Sequence, residues 1–323
     1  MSRGVEIQEL RKHFRIARWR RFKRSVSEVT AVDGINICVP AGQAVAFIGP
    51  NGAGKSTTIK MLTGILHPSS GSATVLGFVP WRERRKLAYH IGTVFGQRSQ
   101  LWYHLPPDDT FELLARIYSL KRAEFIRTRD SLIERFNLGP FMKTPVRKLS
   151  LGQRMRAEVA ASLLHRPRVL FLDEPTIGLD VIARQELRDL VREWNRNEGA
   201  TIVLTSHDAG DIEQVAERVI VINHGKVVVD DSVAAVRKQY LGEKLLRVQF
   251  HTPAPEMNLD GISVVNRGVY ELKLAVETRV IPIQQAILQV MELASVADVS
   301  VEDPPLEQII ARIYRETRKE DPS

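Results

Sequence analysis

The sequence lacks several features that secreted and membrane-spanning proteins need. Its single cysteine, Cys38, excludes an intramolecular disulfide and a multi-cysteine zinc site, and it fits a reducing compartment. No apolar run approaches the roughly 20 residues that span a bilayer. Residues Met1–Leu10 lack the apolar core of a signal peptide. We therefore expect a cytoplasmic protein that is either free or peripheral on a membrane.

Composition indicates an ordinary globular protein with an anionic partner. The chain has 323 residues, of which 44% are hydrophobic, so it can bury a sizeable core in one large domain and a small one, or in two of middle size. Its 46 basic residues exceed its 38 acidic residues by eight. That balance favours a nucleotide, a nucleic acid or an acidic membrane surface, and it does not separate them.

Most of the excess charge lies near the N-terminus. Residues 1–30 contain nine Lys/Arg and three Glu, so the rest of the chain carries only about +2 of the total +8. Arg11–Arg24 has no acidic residue, and four apolar residues recur through it: Phe14, Ile16, Trp19 and Phe22. If this segment is helical, they form one stripe. The segment could then lie on an anionic membrane, bind nucleic acid, or be a solvated insertion between two strands.

Strands and helices alternate over most of the chain. Strands are predicted at Val5–Leu10, Val29–Val39, Ala44–Ile48, Val169–Leu172, Thr201–Thr205, Val219–Asn223 and Lys226–Val229. Helices are predicted at Ser56–Leu66, Ala183–Asn197 and Ala209–Glu217, and the region near 105–165 is mainly helical. This alternation predicts a mostly parallel sheet with helices on both faces. No internal repeat is visible, so the chain holds one copy of this unit.

The pattern changes beyond Tyr240–Lys244, where strands dominate around two helices, Ile281–Ala294 and Leu306–Arg315. We predict a first domain over residues 1–242, with a basic insertion at 11–28 and a helical subdomain at about 98–165. A small α+β accessory or regulatory domain is predicted over residues 243–323.

A glycine-rich loop follows the apolar strand Ala44–Ile48 and precedes a helix. It fits the pattern G-x-x-x-x-G-K-[ST] in full and predicts a phosphate cradle. Lys55 supplies a positive charge to the terminal phosphates, and the Ser56 hydroxyl can coordinate Mg²⁺. The predicted cradle comprises Gly49, Pro50, Asn51, Gly52, Ala53, Gly54, Lys55, Ser56 and Thr57.

Two carboxylates follow the buried strand Val169–Leu172. We predict that Asp173 holds Mg²⁺ through water and that Glu174 orients and activates the attacking water, since phosphoryl transfer depends on positioning and charge neutralisation. An acidic pair after a strand can also merely cap a helix. The phosphate loop in the same chain favours the catalytic interpretation.

Two further features concern a second phosphate contact. Ser150 and Gln153 form an S-x-x-Q capping box, which needs no functional explanation. A capped helix start containing Gly152 is also an anion site. His207 follows the strand Thr201–Thr205 and is either a polar residue at a strand end or a γ-phosphate contact.

Taken together, these motifs resemble the nucleotide-binding subunits of ABC transporters over residues 5–240. The matching segments are Walker A at Gly49–Thr57, Walker B at Leu170–Glu174, the signature at Leu149–Gln153, the D-loop at Gly178–Asp180, the Q-loop glutamine Gln97, the switch histidine His207 and the adenine-stacking Phe14. The resemblance implies an α/β P-loop NTPase fold of ABC type. Such a fold has a parallel-sheet core, an antiparallel β layer and a helical subdomain.

The resemblance also implies a mechanism and partners. Two subunits would sandwich two ATP molecules, so that Ser150, Gly152 and Gln153 act on the partner's nucleotide. Ser56, Gln97 and Asp173 would hold Mg²⁺, and Asp180 would lie at the nucleotide. The expected partners are integral-membrane permease subunits and a second copy or paralogous ATPase, at the cytoplasmic face of the cell membrane. An anionic membrane surface could contact Arg11–Arg24, whereas nucleic acid is a weaker alternative.

The C-terminal domain and the basic insertion resemble those of exporters with separate permeases. The segments beginning Phe95-Gly-Gln-Arg and Leu149-Ser-Leu-Gly are similar to a branch assigned to drugs and cationic herbicides such as viologens. Residues 97–107 would then receive the permease's coupling helix. Three features depart from the family pattern: Leu151 replaces the first signature glycine, Gly96 adds a residue before Gln97, and the basic insertion is long.

Two alternatives belong to other functional classes. A soluble ABC ATPase that acts on DNA or the ribosome would suit the basic N-terminus. However, the translation relatives usually carry two ATPase units and the repair relatives a long coiled coil, and this chain has neither. A small-molecule kinase built on a phosphate loop is disfavoured by the signature and His207 together.

Overall fold

In the computed structural model of the protein, the structure describes residues 3–20, 23–96, 99–206, 208–240, 243–257 and 259–319. The chain divides into two compact units, Met1–Asp231 and Ser232–Ser323. The sequence predicts this division at residues 242/243. Among the described residues, no helix combines the length and apolar character needed to cross a bilayer.

A long β-hairpin begins the first unit. Strand β1 (Arg3–Arg20) pairs antiparallel with β2 (Lys23–Pro40), and β4 (Ser70–Val75) pairs with the other edge of β1. The base of this three-stranded sheet is buried through Val5, Ile7 and Leu10 of β1.

The helical interpretation of Arg11–Arg24 is wrong, because the described part of this segment continues both strands of the hairpin. The register runs without further shift from His13 opposite Thr30 to Arg20 opposite Lys23. Cross-strand hydrogen bonds satisfy the backbone here, and the β-branched residues Val26, Val29 and Thr30 on the partner strand favour an extended conformation. The strand predicted at Val5–Leu10 therefore extends to Arg20.

A six-stranded sheet forms the centre of the first unit. Its strands are β3 (Ala44–Ile48), β5 (Ile91–Phe95), β6 (Val169–Asp173), β7 (Thr201–Thr205), β8 (Arg218–Asn223) and β9 (Lys226–Ser232), in the order β5-β6-β7-β3-β8-β9. The pairs from β5 to β8 are parallel. All five residues of β3 and of β7 are buried, as expected for parallel strands covered on both faces.

Four helices occur along the chain between successive strands of this sheet: α1 (Lys55–Leu62), α2 (Arg84–Leu87), α6 (Val181–Glu198) and α7 (Ala209–Val215). Three more form the predicted helical region: α3 (Pro107–Ile117), α4 (Arg122–Arg135) and α5 (Leu151–Leu163). The core of the helical region includes Phe111, Phe125, Phe136 and Met155. The parallel-sheet core, the antiparallel layer and the helical subdomain confirm the predicted α/β fold.

The second unit is an α+β domain with its own core. It contains α8 (Val233–Tyr240), β10 (Glu243–Phe250), β11 (Ile262–Arg267), β12 (Glu271–Glu277), α9 (Ile283–Leu293), β13 (Val296–Glu302) and α10 (Leu306–Lys319). The four strands are antiparallel in the order β11-β12-β10-β13. Leu246 and Val248 of β10 pack with Leu274 of β12 and with Ala286 and Val290 of α9.

Candidate nucleotide-binding site

The glycine-rich loop joins β3 to α1 and packs against main chain at both ends. A Cβ at Gly49 would lie 2.3 Å from the Ile222 carbonyl oxygen, and one at Gly54 would lie 2.4 Å from the Ala31 carbonyl oxygen. Gly54 also has φ +109°, which a side chain strongly disfavours. Helix α1 begins directly after it, at Lys55. The first N–H groups of α1 have no acceptor within the helix, so this end can bind a phosphate.

Lys55 is folded back over the loop. Its Nζ donates to the Gly49 carbonyl oxygen at 2.6 Å and to that of Pro50 at 3.3 Å, and it lies 3.9 Å from Glu174 Oε1. The side chain is only 7% exposed. Burial lowers the pKa of Lys55 from its ordinary value, and the charges of Glu174 and Asp173 partly oppose this. The loop thus holds a cation that a phosphate group can partner.

Asp173 ends β6 beside the start of α1. Its Oδ1 accepts hydrogen bonds from Ser56 Oγ at 2.9 Å and from Thr205 Oγ1 at 2.7 Å. A carboxylate and a hydroxyl oxygen at one point form the oxygen donor set that Mg²⁺ prefers. The residues present therefore fit the ion that was predicted for Ser56 and Asp173.

Glu174 has a strained backbone with φ +55°, which is uncommon for a non-glycine residue and typical of functional sites. Its backbone N–H is shared between Thr205 Oγ1 at 3.0 Å and the Thr205 carbonyl oxygen at 3.1 Å. A Cβ at Gly96 would lie 2.4 Å from the Glu174 carbonyl oxygen, so only glycine fits there.

Thr205 is the site residue that the sequence did not reveal. It is fully buried, and its hydroxyl contacts both residues of the acidic pair. The available signal was its position, as the polar last residue of a buried strand that parallels β6. Because the ends of neighbouring parallel strands meet at one sheet edge, that position predicts contact with Asp173 and Glu174.

The predicted signature starts α5 and contacts the predicted D-loop of the same chain. Ser150 and Gln153 form the capping box: Gln153 N donates to Ser150 Oγ at 3.2 Å, and Ser150 N donates to Gln153 Oε1 at 2.9 Å. A Cβ at Gly152 would lie 2.9 Å from Ala183 Cβ, and one at Gly178 would lie 3.0 Å from Leu151 Cδ2. Leu151, which replaces the usual glycine, therefore packs at the D-loop.

Asp180 caps α6 by accepting a hydrogen bond from Ala183 N at 2.8 Å. The same helix contacts two acidic residues that follow position 207. Arg188 Nη2 donates to Asp208 Oδ1 at 2.8 Å, while Arg188 Nε donates to the buried Asp211 at 2.6 Å. Asp211 also accepts from Ser206 Oγ at 2.6 Å. This network links the predicted D-loop to the segment that carries the predicted switch histidine.

Three predicted residues stand apart from this geometry. Gln97 and His207 lie outside the described residues, so their predicted roles stay predictions. Phe14 lies on β1 opposite Val29, is half-buried, and has Lys12 Nζ 5.1 Å from its ring centre. Its contact with adenine also stays a prediction.

Comparison with known proteins agrees with the geometry. Residues 32–177 match the family described as "ABC transporter". The daunorubicin/doxorubicin resistance ATP-binding protein of Streptomyces peucetius is 36% identical over 239 residues, which cover 74% of this chain and 72% of that protein. A lantibiotic transport ATP-binding protein of Streptococcus pyogenes is 34% identical and covers 71% of this chain and 93% of its own length. The linearmycin resistance ATP-binding protein of Bacillus subtilis is 26% identical over 92% of this chain and 98% of its own length.

Solved structures show the same fold. The chain is similar to cbiO1 of Clostridium perfringens, part of an ABC transporter complex, with a TM-score of 0.61 and 28% identity over 75% of this chain and 96% of that one. A dimeric ATP-binding cassette bound to ADP and phosphate has a TM-score of 0.62 at 24% identity, over 71% and 98% of the two chains.

Proposed function

Because the chain belongs to the ABC transporter family as an ATP-binding subunit, we propose that Lys55, Ser56, Asp173 and Glu174 are the residues with which it binds and hydrolyses ATP to power export. One observation carries this assignment: the loop and the acidic pair meet at one end of the sheet. Lys55 Nζ lies 3.9 Å from Glu174 Oε1, and Ser56 Oγ lies 2.9 Å from Asp173 Oδ1. The groups that would neutralise the phosphate charge and the carboxylate that would activate the water therefore lie together at this end of the sheet.

Each group has a distinct task in this proposal. Lys55 exchanges its backbone carbonyl partners for the terminal phosphates of ATP, and the N–H groups at the start of α1 bind the same phosphates. Glu174 accepts a proton from the attacking water, as a positioned general base does. The hydroxyl of Thr205 holds both acidic residues, so it is a positioning residue. Pro50, Asn51, Gly52, Ala53 and Thr57 complete the cradle.

Ser56 and Asp173 would hold Mg²⁺, joined by Gln97 in the family pattern. Bound there, the ion would neutralise charge on the phosphate oxygens. The oxygen donors of Ser56 and Asp173 support this assignment because Mg²⁺ prefers oxygen ligands and keeps several waters.

ABC ATPase subunits of this family dimerise, and Ser150, Gly152, Gln153 and Asp180 are proposed to serve the partner's nucleotide. Ser150 and Gln153 are exposed or half-buried at the start of α5, where the N–H groups of a helix attract an anion. His207 is proposed to contact the γ-phosphate, and Phe14 to stack on adenine.

The chain works with separate permease subunits in this proposal. We place it at the cytoplasmic face of the cell membrane, with residues 97–107 against the permease and the Arg11–Arg24 hairpin near anionic lipid headgroups. The relatives named for daunorubicin, lantibiotic and linearmycin suggest an amphipathic, drug-like cargo. They favour export over the alternative of a DNA- or ribosome-acting ATPase.

The variant Glu174→Gln tests the assignment. It removes the base but keeps the size and the loop, so ATP binding should persist while kcat falls by about 10²–10⁴-fold. Uncleaved ATP should then hold two copies together, so that gel filtration with ATP shows a dimer that ADP does not support.

Two controls make this result specific. Glu134→Gln neutralises an exposed carboxylate on α4 and should leave kcat unchanged. Lys55→Ala should remove ATP binding itself. Turnover near that of the unmodified protein in the Glu174→Gln variant would overturn the assigned base.

A further inference from the structure

A buried carboxylate on the signature helix lies outside the site described above. Glu158 is on α5, two turns or about 12 Å along the helix from Ser150. It is 4% exposed, and its helix neighbours Ala157 and Val159 belong to the apolar core. An acidic side chain in such a place is unusual, because burying a charge without compensation is costly.

Among the described residues, the hydrogen-bond partners of the Glu158 carboxylate lie in the short segment that follows β5. Ser99 Oγ donates a hydrogen bond to one carboxylate oxygen of Glu158, and Gln100 N donates to the other at 3.0 Å. Gln100 Nε2 additionally donates to the carbonyl oxygens of Thr93 and Glu158, both at 3.2 Å. Ser99 Oγ in turn accepts from Leu101 N at 3.1 Å. Residues 99–101 are thus held to α5 mainly by the Glu158 carboxylate, with one further hydrogen bond to the Glu158 carbonyl oxygen.

The cost of burying the Glu158 carboxylate is offset mainly by its hydrogen bonds to residues 99–101. Burial raises the pKa of the Glu158 carboxyl, whereas the hydrogen bonds from Ser99 and Gln100 and the charge of Arg154 lower it. No salt bridge to Glu158 is found among the described residues, so the two hydrogen-bonded residues of the segment carry most of the compensation. An apolar side chain would fill this part of α5 at less cost.

The fastened segment lies between two functional regions. It begins two residues after Gln97, the predicted Q-loop glutamine. It ends beside Trp102 and Tyr103, which are 42% and 58% exposed. Large exposed aromatic side chains next to each other are typical of a protein contact surface.

We propose that Glu158 is a positioning residue that couples residues 99–101 to the signature helix, so that a contact made at Trp102 and Tyr103 changes where Ser150 lies. This inference rests on the proposed function, because it takes Ser150 to act on the partner's ATP. Since α5 is one continuous helix from Leu151 to Leu163, a force applied at Glu158 reaches Ser150 without an intervening joint.

Steady-state hydrolysis by the full chain tests the coupling. In Glu158→Ala, kcat should fall about tenfold, because the two hydrogen bonds lost are both to a charged group. The KM for ATP should stay within about twofold, because the Lys55 loop is untouched. Glu158→Gln keeps one acceptor oxygen and should recover part of the rate. Ser99→Ala should lower kcat about threefold, and the double variant should be no slower than Glu158→Ala.

The exposed Glu134→Ala on α4 is the matched control and should behave as the unmodified protein. A kcat for Glu158→Ala within about twofold of the unmodified value, with or without reduced thermal stability, would overturn the coupling. Equal losses in kcat and ATP affinity would do the same. If Glu158→Ala does not fold, Glu158→Gln and Ser99→Ala decide by the same criteria. An unmodified chain that hydrolyses no ATP would overturn the proposed function as well. Failure of the coupling alone differs from this, because the unmodified chain would then still hydrolyse ATP.

Discussion

At the scale of single residues, the site is built from conformations and charges that cost stability. Lys55 is a buried cation, and Glu174 adopts a left-handed backbone conformation that non-glycine residues avoid. Such costs persist only where the surrounding structure imposes them and where function benefits. Here the hydroxyl and carbonyl of Thr205 fix Glu174, while the carbonyls of Gly49 and Pro50 hold Lys55 until a stronger partner arrives.

Ser150 has both a structural and a proposed catalytic task, and the variant Ser150→Asp separates them. Aspartate is as good an N-cap as serine, so the free energy of unfolding should stay within about 0.5 kcal/mol of the unmodified value. Its negative charge would face the partner's terminal phosphate, so ATP-driven dimerisation and hydrolysis should both be lost. Ser150→Ala should instead cost about 1 kcal/mol of stability. Normal turnover in Ser150→Asp, measured beside urea unfolding, would reduce Ser150 to a helix cap.

His165 predicts a pH dependence of stability. Its pKa is lowered from 6.5 to about 4, first because the ring is buried, and Tyr118 stacks on it at 4.0 Å. Between those values the unfolded chain binds a proton that the folded chain does not. The free energy of unfolding should therefore fall as pH drops from about 6.5 to 4, by at most about 3 kcal/mol from this group.

Urea unfolding at several pH values checks this prediction. His165→Gln removes the titrating group, so stability should depend less steeply on pH in that window. Replacement of the exposed His104 is the control and should leave the slope unchanged. A slope identical in His165→Gln and the unmodified protein would mean that other groups dominate acid unfolding.

Residues that belong to a continuous motif were predictable from the sequence, whereas residues that act across the fold were not. Lys55 and Ser56 follow from spacing within one loop, and Glu174 follows from its place after an apolar strand. Thr205 and Glu158 are separated in sequence from the groups they contact by 32 and 59 residues respectively. Thr205 shows only that a polar residue ends a strand, and Glu158 shows no local pattern, because the partners of both become neighbours only through sheet order and helix packing.

At the scale of elements, the basic segment shows where the periodicity of apolar residues misleads. Phe14, Ile16, Trp19 and Phe22 fit a helical stripe about as well as strand alternation, and hydrogen bonding to a partner strand decides between the two. The result is a long two-stranded hairpin that extends past the base buried through Leu10 and Ile35. Lys55, Ser56, Asp173 and Glu174 all lie outside this extension, so its positive charge is not needed at the phosphates, which supports a separate partner for that charge.

Neutralising Arg18, Arg20 and Arg21 together should weaken association with vesicles that contain anionic phospholipid. Each basic residue near such a surface contributes about 1 kcal/mol, so the triple variant should lose roughly 100-fold in partition coefficient at low salt. The loss should shrink as ionic strength rises, because exposed charges are screened.

The triple variant Arg82, Arg84 and Arg85 to Gln is the matched control, since these arginines are exposed and the charge change is equal. Sedimentation with vesicles of neutral phospholipid supplies the baseline. Equal weakening by both triples would indicate an effect of net charge alone. No weakening by the hairpin triple would make the hairpin a solvated insertion.

At the scale of the whole molecule, the predicted nucleotide-binding residues that the structure describes belong to one of the two compact units. The glycine-rich loop, the acidic pair, Thr205 and the signature helix all lie within Met1–Asp231. The second unit has its own sheet and core. The second unit has the α+β character that the sequence predicts. Helix α8 is not predicted, because eight residues are too few to show a clear helical repeat of apolar residues.

The position of α8 gives a sharp test of where the first unit ends. Since α8 contacts α10 within the second unit, a chain that ends after Asp231 removes the second unit whole. A chain that ends at residue 242 leaves α8 without the helix it packs on. We expect the 1–231 fragment to bind ATP with an affinity near that of the full chain, by calorimetry with a non-hydrolysable analogue. The 1–242 fragment should bind ATP equally well but aggregate more readily, because its last helix exposes an apolar face.

Dimerisation of the Glu174→Gln variant, compared in the full chain and the 1–231 fragment, then reports what the second unit adds. Unchanged dimerisation and unchanged kcat in the shorter chain would leave the second unit without a regulatory role.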